Sequence, residues 1–329
     1  MSSLPDLQPA RRHVERAVGV DQLAQSITGW EQVYDQTSPG RFHGELIELL
    51  LGPAQVFAES SSHALVQICK TWPKAVWFGI PGQLTHPGRI EGIPIEHGML
   101  AVRTGSSDFQ LTTPDNFIFL GVVVEMHALQ QHAAVRGGGE LSQAALEQRV
   151  LKVTDAALQS FRRHLCDVLQ ASGSLPDAQL TAAVRSQILD DTLARLEDML
   201  MFQQEAPRDA VSAQHARRTV RRARDYLQAN DDRCVTVHEL CGQLGASRRA
   251  LQDCFRRSMD LTPKAYLRAF GLNAARRELR RADSPCATVS DAATRHGFWH
   301  LSQFATDYRR MFGELPSETL RQRKIHADS

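Results

Sequence analysis

The 329-residue sequence has few cysteines and no long apolar run. Its six cysteines show no Cys-x-x-Cys spacing, so neither a zinc ribbon nor a disulfide framework is indicated. The first residues, MSSLPDLQPARRHVERAV, lack the continuous apolar centre of a signal peptide, and no run reaches the length that a membrane-spanning helix needs. We therefore expect a cytoplasmic protein.

Sequence motifs of common enzymes are also absent. The chain has no Gly-x-Ser-x-Gly, no Walker A loop and no dinucleotide-binding glycine fingerprint. Metal-dependent β-barrel enzymes use two histidines one residue apart, and the sequence has no such pair. His43 and Glu45 alternate onto one face of a predicted strand, but two such residues more often form a solvated face than a metal site. We predict no catalytic residues, no metal site and no covalently bound cofactor, and therefore no enzyme.

Charge is divided unevenly along the chain. From Val211 onward, 22 Lys and Arg stand against 13 Asp and Glu, a net charge of +9. Residues 1–210 hold 16 against 24, a net charge of −8. A basic segment joined to an acidic remainder is typical of a nucleic-acid-binding module with a partner domain of another role.

The acidic part begins with a pattern of short strands. From Arg41 onward, apolar segments such as AVWFGIP and NFIFLGVVVEM follow one another, and Gly or Pro marks most of the joins. This spacing predicts a β-sandwich or barrel, and we favour a cupin-like β-barrel over residues 27–136. Residues 1–26 are polar and are predicted to be a tail.

Residues 137–206 are predicted to be helical. The triple glycine Gly137–Gly139 suggests a flexible break, and two amphipathic helices follow over about residues 142–171 and 177–204. One face of the second helix carries Leu189, Leu193, Leu196 and Leu200. This face either packs on the barrel or forms a dimer interface.

Two stretches of the basic part repeat one pattern 52 residues apart. In each, a small residue precedes a glycine by four positions: Cys241 and Gly245, then Ala293 and Gly297. Glycine tolerates the positive φ of a tight turn, so both stretches predict a helix-turn-helix. Between them, Thr262-Pro263 opens a helix long enough to be a spacer. The predicted fold class is therefore α+β, with an all-α C-terminal domain.

Two helix-turn-helix units on one spacer helix form the DNA-binding domain of the AraC/XylS regulators, which residues 210–323 resemble. The resemblance rests on SRRALQDCF at 247–255, PKAYLR at 263–268, LNAARREL at 272–279 and GFWHLSQFATDY at 297–308. It implies a transcription activator that binds double-stranded operator DNA, RNA polymerase and a small-molecule effector, as a monomer or homodimer. Two other interpretations stay open: a cupin-type enzyme fused to a DNA-binding domain, which would contain metal, and an architectural DNA-binding protein without sequence preference.

The second helix of the first unit is predicted to enter the major groove with its N-terminal half. On its exposed face, Arg249, Gln252 and Asp253 are placed toward base edges. Arg248 and Arg256 are better placed for phosphates. The family usually has a longer polar or basic residue at position 253, so a base contact of this carboxylate is the least secure of these assignments.

The second unit is predicted to contribute Ser302, Gln303, Thr306 and Arg309. Most family members carry arginine in place of Thr306, so we expect weaker contacts here. His300 stands where a serine or aspartate cap is usual, which weakens the start of the helix.

Residues 27–81 resemble a narrower group, the regulators of ethanolamine-utilisation operons. The matching strings are ITGWEQVYDQTSPGRFHGELIELLL, AQVFAES and WPKAVWFGIP, with LTTPDNFIFLGVVV farther on. The resemblance implies ethanolamine as effector and adenosylcobalamin as co-effector. A regulator of another catabolic operon that senses a different molecule is the alternative.

Aromatic side chains with a few polar groups make up most small-molecule pockets. The effector pocket is predicted among Phe42, His43, Glu45, Trp72, Trp77 and Phe78. Glu45 and Glu48 are the candidates to neutralise an ammonium group.

Overall fold

The computed structural model describes residues 12–82, 86–105, 107–136, 146, 149–174, 179–201, 203–204, 211–230, 233–281, 284, 286 and 288–327. The chain divides into two compact units. The first unit comprises Met1–Tyr34, His43–Ser62 and Gln67–Pro207. The second comprises Asp35–Phe42, His63–Val66 and Arg208–Ser329.

The first unit is built on two antiparallel sheets. The strands are β1 Arg12–Ala17, β2 Glu31–Gln36, β3 Gly44–Leu50, β4 Ala54–Ser61, β5 Leu65–Lys70, β6 Ala75–Pro81, β7 Arg89–Ile90, β8 Ile93–Pro94, β9 Met99–Thr104, β10 Phe109–Thr113, β11 Phe117–Glu125, β12 Val150–Val153 and β13 Gln203–Gln204. The larger sheet has the order β1-β3-β4-β11-β6-β9-β12-β13, and the smaller has β2-β5-β10-β7-β8.

The cupin-like β-barrel that the sequence favours is not closed. Within the described residues, each sheet keeps two free ends in its strand order, and no ladder joins one sheet to the other. Side chains from both sheets line a common cavity, so the two sheets form a sandwich. The mixed α and β class and the apolar strand segments were predicted correctly.

Among the described residues, helices α1 Val20–Ser26, α2 Met126–Val135, α3 Asp155–Ser174 and α4 Ala182–Met201 accompany the sheets. Helices α3 and α4 pack on the larger sheet through a core that includes Phe161, Leu193 and Leu196. This sheet is therefore covered on both faces, which explains why β6 is buried along its whole length. The leucine face of α4 is part of this core. No helix of the described part of the chain has the length and apolarity to span a membrane.

Two segments differ from the sequence prediction. Residues 12–26 form strand β1 and helix α1 instead of a tail, and β1 pairs antiparallel with β3 along its length. Strand β12, Val150–Val153, interrupts the helix expected over residues 142–171. Both strands are short and pair with strands of the larger sheet. This pairing determines their conformation more than the local sequence pattern does. Gly137–Gly139 lies outside the described residues.

The second unit contains seven helices among its described residues: α5 Val211–Gln228, α6 Val237–Leu244, α7 Arg248–Met259, α8 Pro263–Arg280, α9 Val289–Arg295, α10 Leu301–Phe312 and α11 Pro316–Ala327. They surround two separate cores. The first includes Leu240, Phe255 and Tyr266, and the second includes Leu279 and Phe304. Helix α8 contributes Tyr266 to one and Leu279 to the other, as a spacer helix must.

The two short upstream segments of the second unit are tied to helix α8. The Asn273 side chain accepts a hydrogen bond from the Gln36 backbone N–H at 3.0 Å and donates one to the Gln36 carbonyl at 2.9 Å. Arg277 forms an ion pair with Asp35 at 2.7 Å. Val66 is buried in the first core of the unit. Residues distant in sequence thus complete the packing of this unit.

Candidate nucleic-acid interface and effector cavity

Capping residues define the first helix-turn-helix. The Thr236 hydroxyl accepts from the Glu239 backbone N–H at 3.1 Å and starts α6. Gly245 ends α6 in the left-handed conformation with φ 62°. The Ser247 hydroxyl then accepts from the Ala250 N–H at 3.2 Å and starts α7. The predicted turn glycine and cap are both confirmed.

Helix α7 has one apolar and one polar face. Leu251, Cys254 and Phe255 are buried, whereas the predicted contact residues are all exposed: Arg248, Arg249, Gln252, Asp253 and Arg256. Within the described part of the chain, no hydrogen bond or ion pair holds these five side chains. They can therefore turn toward a partner without breaking an internal contact.

The second helix-turn-helix uses the same backbone device. A capping box between Thr288 and Asp291 starts α9, and Gly297 turns the chain with φ +83°. A Cβ atom at Gly297 would lie 2.2 Å from the Cys234 sulfur. The turn therefore needs glycine for space as well as for conformation.

The polar side chains of α10 are bonded within the protein. The Gln303 amide donates to the Asp307 carboxylate at 3.1 Å, and Arg268 forms an ion pair with the same carboxylate. The Thr306 hydroxyl donates to the Ser302 carbonyl at 2.9 Å. Three of the predicted contact residues thus belong to internal hydrogen bonds, through a side chain or through the backbone. Arg309 is exposed.

The start of α10 carries exposed apolar surface that sequence reasoning missed. Trp299 is 73% exposed and Leu301 is 45% exposed. The neighbouring His300 makes no side-chain cap bond, which agrees with the predicted weak helix start. An indole beside a helix-turn-helix glycine was the signal available in the sequence. Such a ring can contact a thymine methyl group or the sugar-phosphate backbone.

A cavity lies between the two sheets of the first unit. About 400 Å³ of this region is not filled by protein atoms, and that volume includes open solvent at the mouth of the cavity. Its lining residues are Ile27, Trp30, Gln32, Tyr34, Phe57, Glu59, Ser61, Gln67, Cys69, Trp77, Leu111, Thr113, Phe117 and Phe119.

Aromatic rings form much of the wall. The Trp30 ring meets Phe57 and Trp77 edge to face, with centroids 5.7 and 5.8 Å apart. Trp77 stacks on Phe109 at 5.0 Å and lies 5.6 Å from Phe119. The cluster therefore presents ring faces and edges to the cavity.

Two glycines make this aromatic packing possible. Gly79 on β6 and Gly121 on β11 are paired directly across the sheet. A Cβ at Gly79 would lie 2.3 Å from the Trp77 ring, and one at Gly121 would lie 2.2 Å from the Phe57 ring. The rings occupy the space that side chains at these positions would need.

Glu59 is the carboxylate of the cavity. It is 8% exposed, and it accepts hydrogen bonds from the Tyr34 hydroxyl at 2.8 Å and the Gln67 amide at 3.0 Å. Burial raises the pKa of Glu59 from 4.5 to about 7, against the opposing effect of these two hydrogen bonds. The folded state thus holds this proton above the pH at which the unfolded chain releases it. The stability that Glu59 contributes is present below pH 4.5 and is lost as the pH rises to about 7.

Two further polar atoms of lining residues have no hydrogen-bond partner within the described part of the chain. They are the buried Trp77 Nε1 and Thr113 Oγ1. The indole N–H is a donor, and a hydroxyl can donate or accept. Buried polar groups are nearly always satisfied, so these atoms are available to a ligand oxygen.

Only one of the six predicted effector residues lines this cavity. That residue is Trp77. Phe78 is the next residue of β6 and therefore points to the opposite face, where it joins the core under the helices. Trp72 is buried, and its indole N–H donates to the Thr28 carbonyl at 3.1 Å.

The other three lie elsewhere. His43 is exposed, and Glu45 forms a surface ion pair with Arg16 at 2.8 Å. Phe42 is buried in the second unit. Glu48 is also buried. It accepts hydrogen bonds from the Gln55 amide at 2.8 Å and from the Thr28 backbone N–H at 3.0 Å, so it stabilises the segment around Thr28.

Helices α6 to α10 thus form a DNA-binding architecture of two helix-turn-helix units. A family model described as a helix-turn-helix domain matches residues 240–322. The chain is 40% identical over 102 residues to a probable thc operon regulatory protein of Rhodococcus erythropolis. This match covers 31% of each chain. It is 35% identical over 100 residues to XylDLEGF operon transcriptional activator 1 of Pseudomonas putida, 30% of each chain.

Among solved structures, the chain is similar to a probable AraC family transcriptional regulator from Rhodopseudomonas palustris. The identity is 39%, the match covers 32% of this chain and 97% of that one, and the TM-score is 0.30. Residues 240–322 therefore form a helix-turn-helix domain similar to parts of two proteins that are named as operon regulators. The matches span about a third of the length of the two curated relatives. Neither relative is named for an ethanolamine operon.

Proposed function

We propose that the chain is an effector-controlled transcription activator of the AraC type. The observation that carries this proposal is the exposed face of α7, where two arginines and a glutamine stand without internal partners at the start of a recognition helix. The N-terminal part of such a helix reads base edges in the major groove. The net charge of +9 from Val211 onward favours binding to the DNA backbone.

In this proposal the two helix-turn-helix units make different contacts with DNA. Arg249 and Gln252 of α7 contact bases, because arginine pairs with guanine and glutamine with adenine through two hydrogen bonds each. Arg248 and Arg256 contact phosphates. Helix α10 enters the next major groove of the same face, about 10 base pairs away. Each monomer then covers an asymmetric site, and a homodimer covers two copies of it.

Selection of bound sequences from a random DNA library, followed by footprinting, tests the proposal. We expect one asymmetric consensus with two protected segments centred about 10 base pairs apart. Uniform protection without a consensus would instead establish an architectural DNA-binding protein. Addition of RNA polymerase to the same DNA tests activation, because an activator should increase polymerase occupancy at the adjacent promoter.

We further propose that the cavity of the first unit binds the effector. Ethanolamine is the candidate that the resemblance of residues 27–81 supplies. Adenosylcobalamin is several times larger than this cavity, so these lining residues do not fit it and a co-effector role would need another surface. The names of the two curated relatives favour the alternative, a regulator of a different catabolic operon.

Operator affinity measured with ethanolamine and adenosylcobalamin, alone and combined, tests the effector assignment. A ligand shifts the population toward the DNA-binding state only by its differential affinity for that state. We expect ethanolamine to tighten operator binding, more so with adenosylcobalamin present. Unchanged operator binding with both compounds would reject this pair and leave the DNA-binding proposal intact.

A further inference from the structure

The C-terminal end of helix α10 is bonded to a segment from the beginning of the chain. We propose that this segment, Asp35–Phe42, sets the position of α10 against the spacer helix α8, with Gln36 as the central positioning residue. Contact of α10 with DNA then depends on a residue 275 positions upstream of its bonding partner, Met311. This inference rests on the proposed DNA-binding function and adds residues that the two helix-turn-helix motifs do not contain.

The Gln36 side chain bonds to the last turn of α10. Its amide Nε2 donates to the Met311 carbonyl at 2.8 Å. The same nitrogen donates to the carbonyls of Gly40 at 2.8 Å and Ser38 at 2.9 Å, which hold the amide in this orientation. The last carbonyls of a helix have no partner inside the helix, so an outside donor stabilises this end of α10. Gln36 is fully buried, so solvent does not readily replace its amide.

The backbone of the segment contacts the same helix end. The Gly40 N–H donates to the Met311 carbonyl at 3.1 Å. Gly313 ends α10 in the left-handed conformation, and a Cβ atom there would lie 2.9 Å from the Arg41 Cβ. Gly40 itself has φ +136°, and a Cβ atom at this position would lie 2.1 Å from a ring nitrogen of His63. Glycine is therefore required on both sides of this contact.

The other end of the link is helix α8. The Gln36 backbone exchanges two hydrogen bonds with the Asn273 side chain, at 3.0 and 2.9 Å. Asn273 is 2% exposed, and Arg277, one turn farther along α8, pairs with Asp35. Gln36 thus holds α8 through its backbone and α10 through its side chain. One residue therefore fixes the spacing of the two helices at this point.

The second upstream segment, His63–Val66, holds the first one in shape. The Thr37 N–H donates to the Ala64 carbonyl at 2.8 Å, and the Ala64 N–H donates to the Ser38 hydroxyl at 2.9 Å. Both segments belong to the second unit together with α8 and α10. The link between the two helices is therefore itself fixed on both sides.

This link acts on DNA binding through the direction of α10. The helix has 12 residues and is about 18 Å long, and the N-terminal part of a recognition helix meets the DNA. Holding the opposite end on α8 limits the tilt of α10. Because α7 is packed against the same spacer helix, the segment preserves the spacing of the two recognition helices.

Affinities of the full chain for two DNA duplexes test the inference. One duplex contains both protected segments of the selected operator, and the other ends after the segment bound by α7. The ratio of the two affinities measures the contribution of α10, and it does not depend on the folded fraction because unfolded protein binds neither duplex specifically. We expect a ratio of about tenfold or more for the native protein.

Gln36→Met keeps the length of the side chain and removes its donor. It should reduce the ratio to about threefold or less and change the affinity for the short duplex by less than about twofold. Asn273→Ala releases the other end of the link and should reduce the ratio to a similar extent. Since both residues act through one link, the double variant should lose no more than either single variant. Additive losses would contradict a single link.

A buried glutamine of the first unit provides the matched control. Gln110 lies on β10 and is 4% exposed, so Gln110→Met replaces a buried amide in the same way and should keep the native ratio. A native ratio in Gln36→Met, or an equal fall in Gln110→Met, would overturn the inference and leave the proposed function intact. A ratio near one in the native protein would instead reject the part of the proposed function in which α10 contacts DNA, and this inference with it.

Discussion

The two helix-turn-helix units share a backbone device but use their polar side chains differently. In α7, the exposed face from Arg248 to Arg256 makes no internal hydrogen bond among the described residues. In α10, Gln303 is bonded to Asp307, which also pairs with Arg268 of helix α8, and Thr306 is bonded to its own helix. A side chain already held by the protein has to break that bond before it can read a base. We therefore propose that helix α7 discriminates sequences and that α10 holds the protein in position on the DNA.

The largest effect should come from removing the centre of the α10 network. Asp307 is 3% exposed and faces Arg268 and Gln303. Asp307→Ala removes the buried acceptor of the half-buried Arg268 guanidinium and of the Gln303 amide, and it should lower the free energy of unfolding by roughly 1.5–3 kcal/mol. Asp253→Ala, which removes an exposed carboxylate of α7, should change it by less than about 0.5 kcal/mol. Denaturant unfolding of both variants measures this, and equal losses would break the comparison.

The next largest effect concerns base reading by α7. Arg249→Ala should cost roughly 1–3 kcal/mol of operator affinity and relax the preference at particular base pairs. Arg309→Ala removes the same charge from α10 and should weaken all operators alike. Affinities on a panel of single-base operator variants separate the two patterns. An unchanged base-preference profile in Arg249→Ala would show that α7 is not the reader.

Phosphate contacts should appear in the salt dependence. Each phosphate neutralised by a cationic side chain releases condensed counterions, so the slope of log affinity against log salt reports their number. Arg256→Ala should reduce the magnitude of that slope by about 1 and leave the base preferences unchanged. Titrations of operator DNA over a series of salt concentrations provide the slope. A loss confined to one operator sequence would reassign Arg256 to base reading.

The smallest effect sharpens the comparison with one substitution in two places. Gln252→Ala should cost about 1 kcal/mol or more of operator affinity, whereas Gln303→Ala should cost less than about 0.5 kcal/mol. The reason is that the Gln303 amide is already bonded to Asp307 at 3.1 Å. Operator affinities of both variants at one salt concentration are sufficient. A larger loss for Gln303 would mean that its internal bond opens on DNA.

Local chemistry made the helical domain predictable from sequence. Turn glycines and capping hydroxyls act within a few residues, so Gly245, Ser247 and Thr262 could each be assigned from their neighbours. The bond from Gln303 to Asp307 spans one helical turn, but the sequence analysis assigned Gln303 to DNA and missed it. The second partner of Asp307, Arg268, is 39 residues away in the chain and has no local sequence signal.

The cavity was less predictable because it depends on which strands face each other. Trp77 was identified by its residue type, but Glu59 was overlooked in favour of Glu45 and Glu48. Alternation along β4 places Glu59 on the same face as Phe57, so the signal was present in AQVFAES. The pairing of β2 with β5, which brings Tyr34 and Gln67 to that carboxylate, is a long-range arrangement that no local pattern contains.

The upstream segments bonded to helix α8 bear on how this DNA-binding domain is isolated. A fragment cut from the chain at Arg208 would lose Gln36, whose backbone provides two of the hydrogen bonds of Asn273. It would also lose Val66 from a core and Asp35 from its pairing with Arg277. Low activity of such a fragment would then measure missing packing and not weak recognition of DNA. A preparation that keeps the packing of this domain must therefore include Asp35–Phe42 and His63–Val66 as well as Arg208–Ser329.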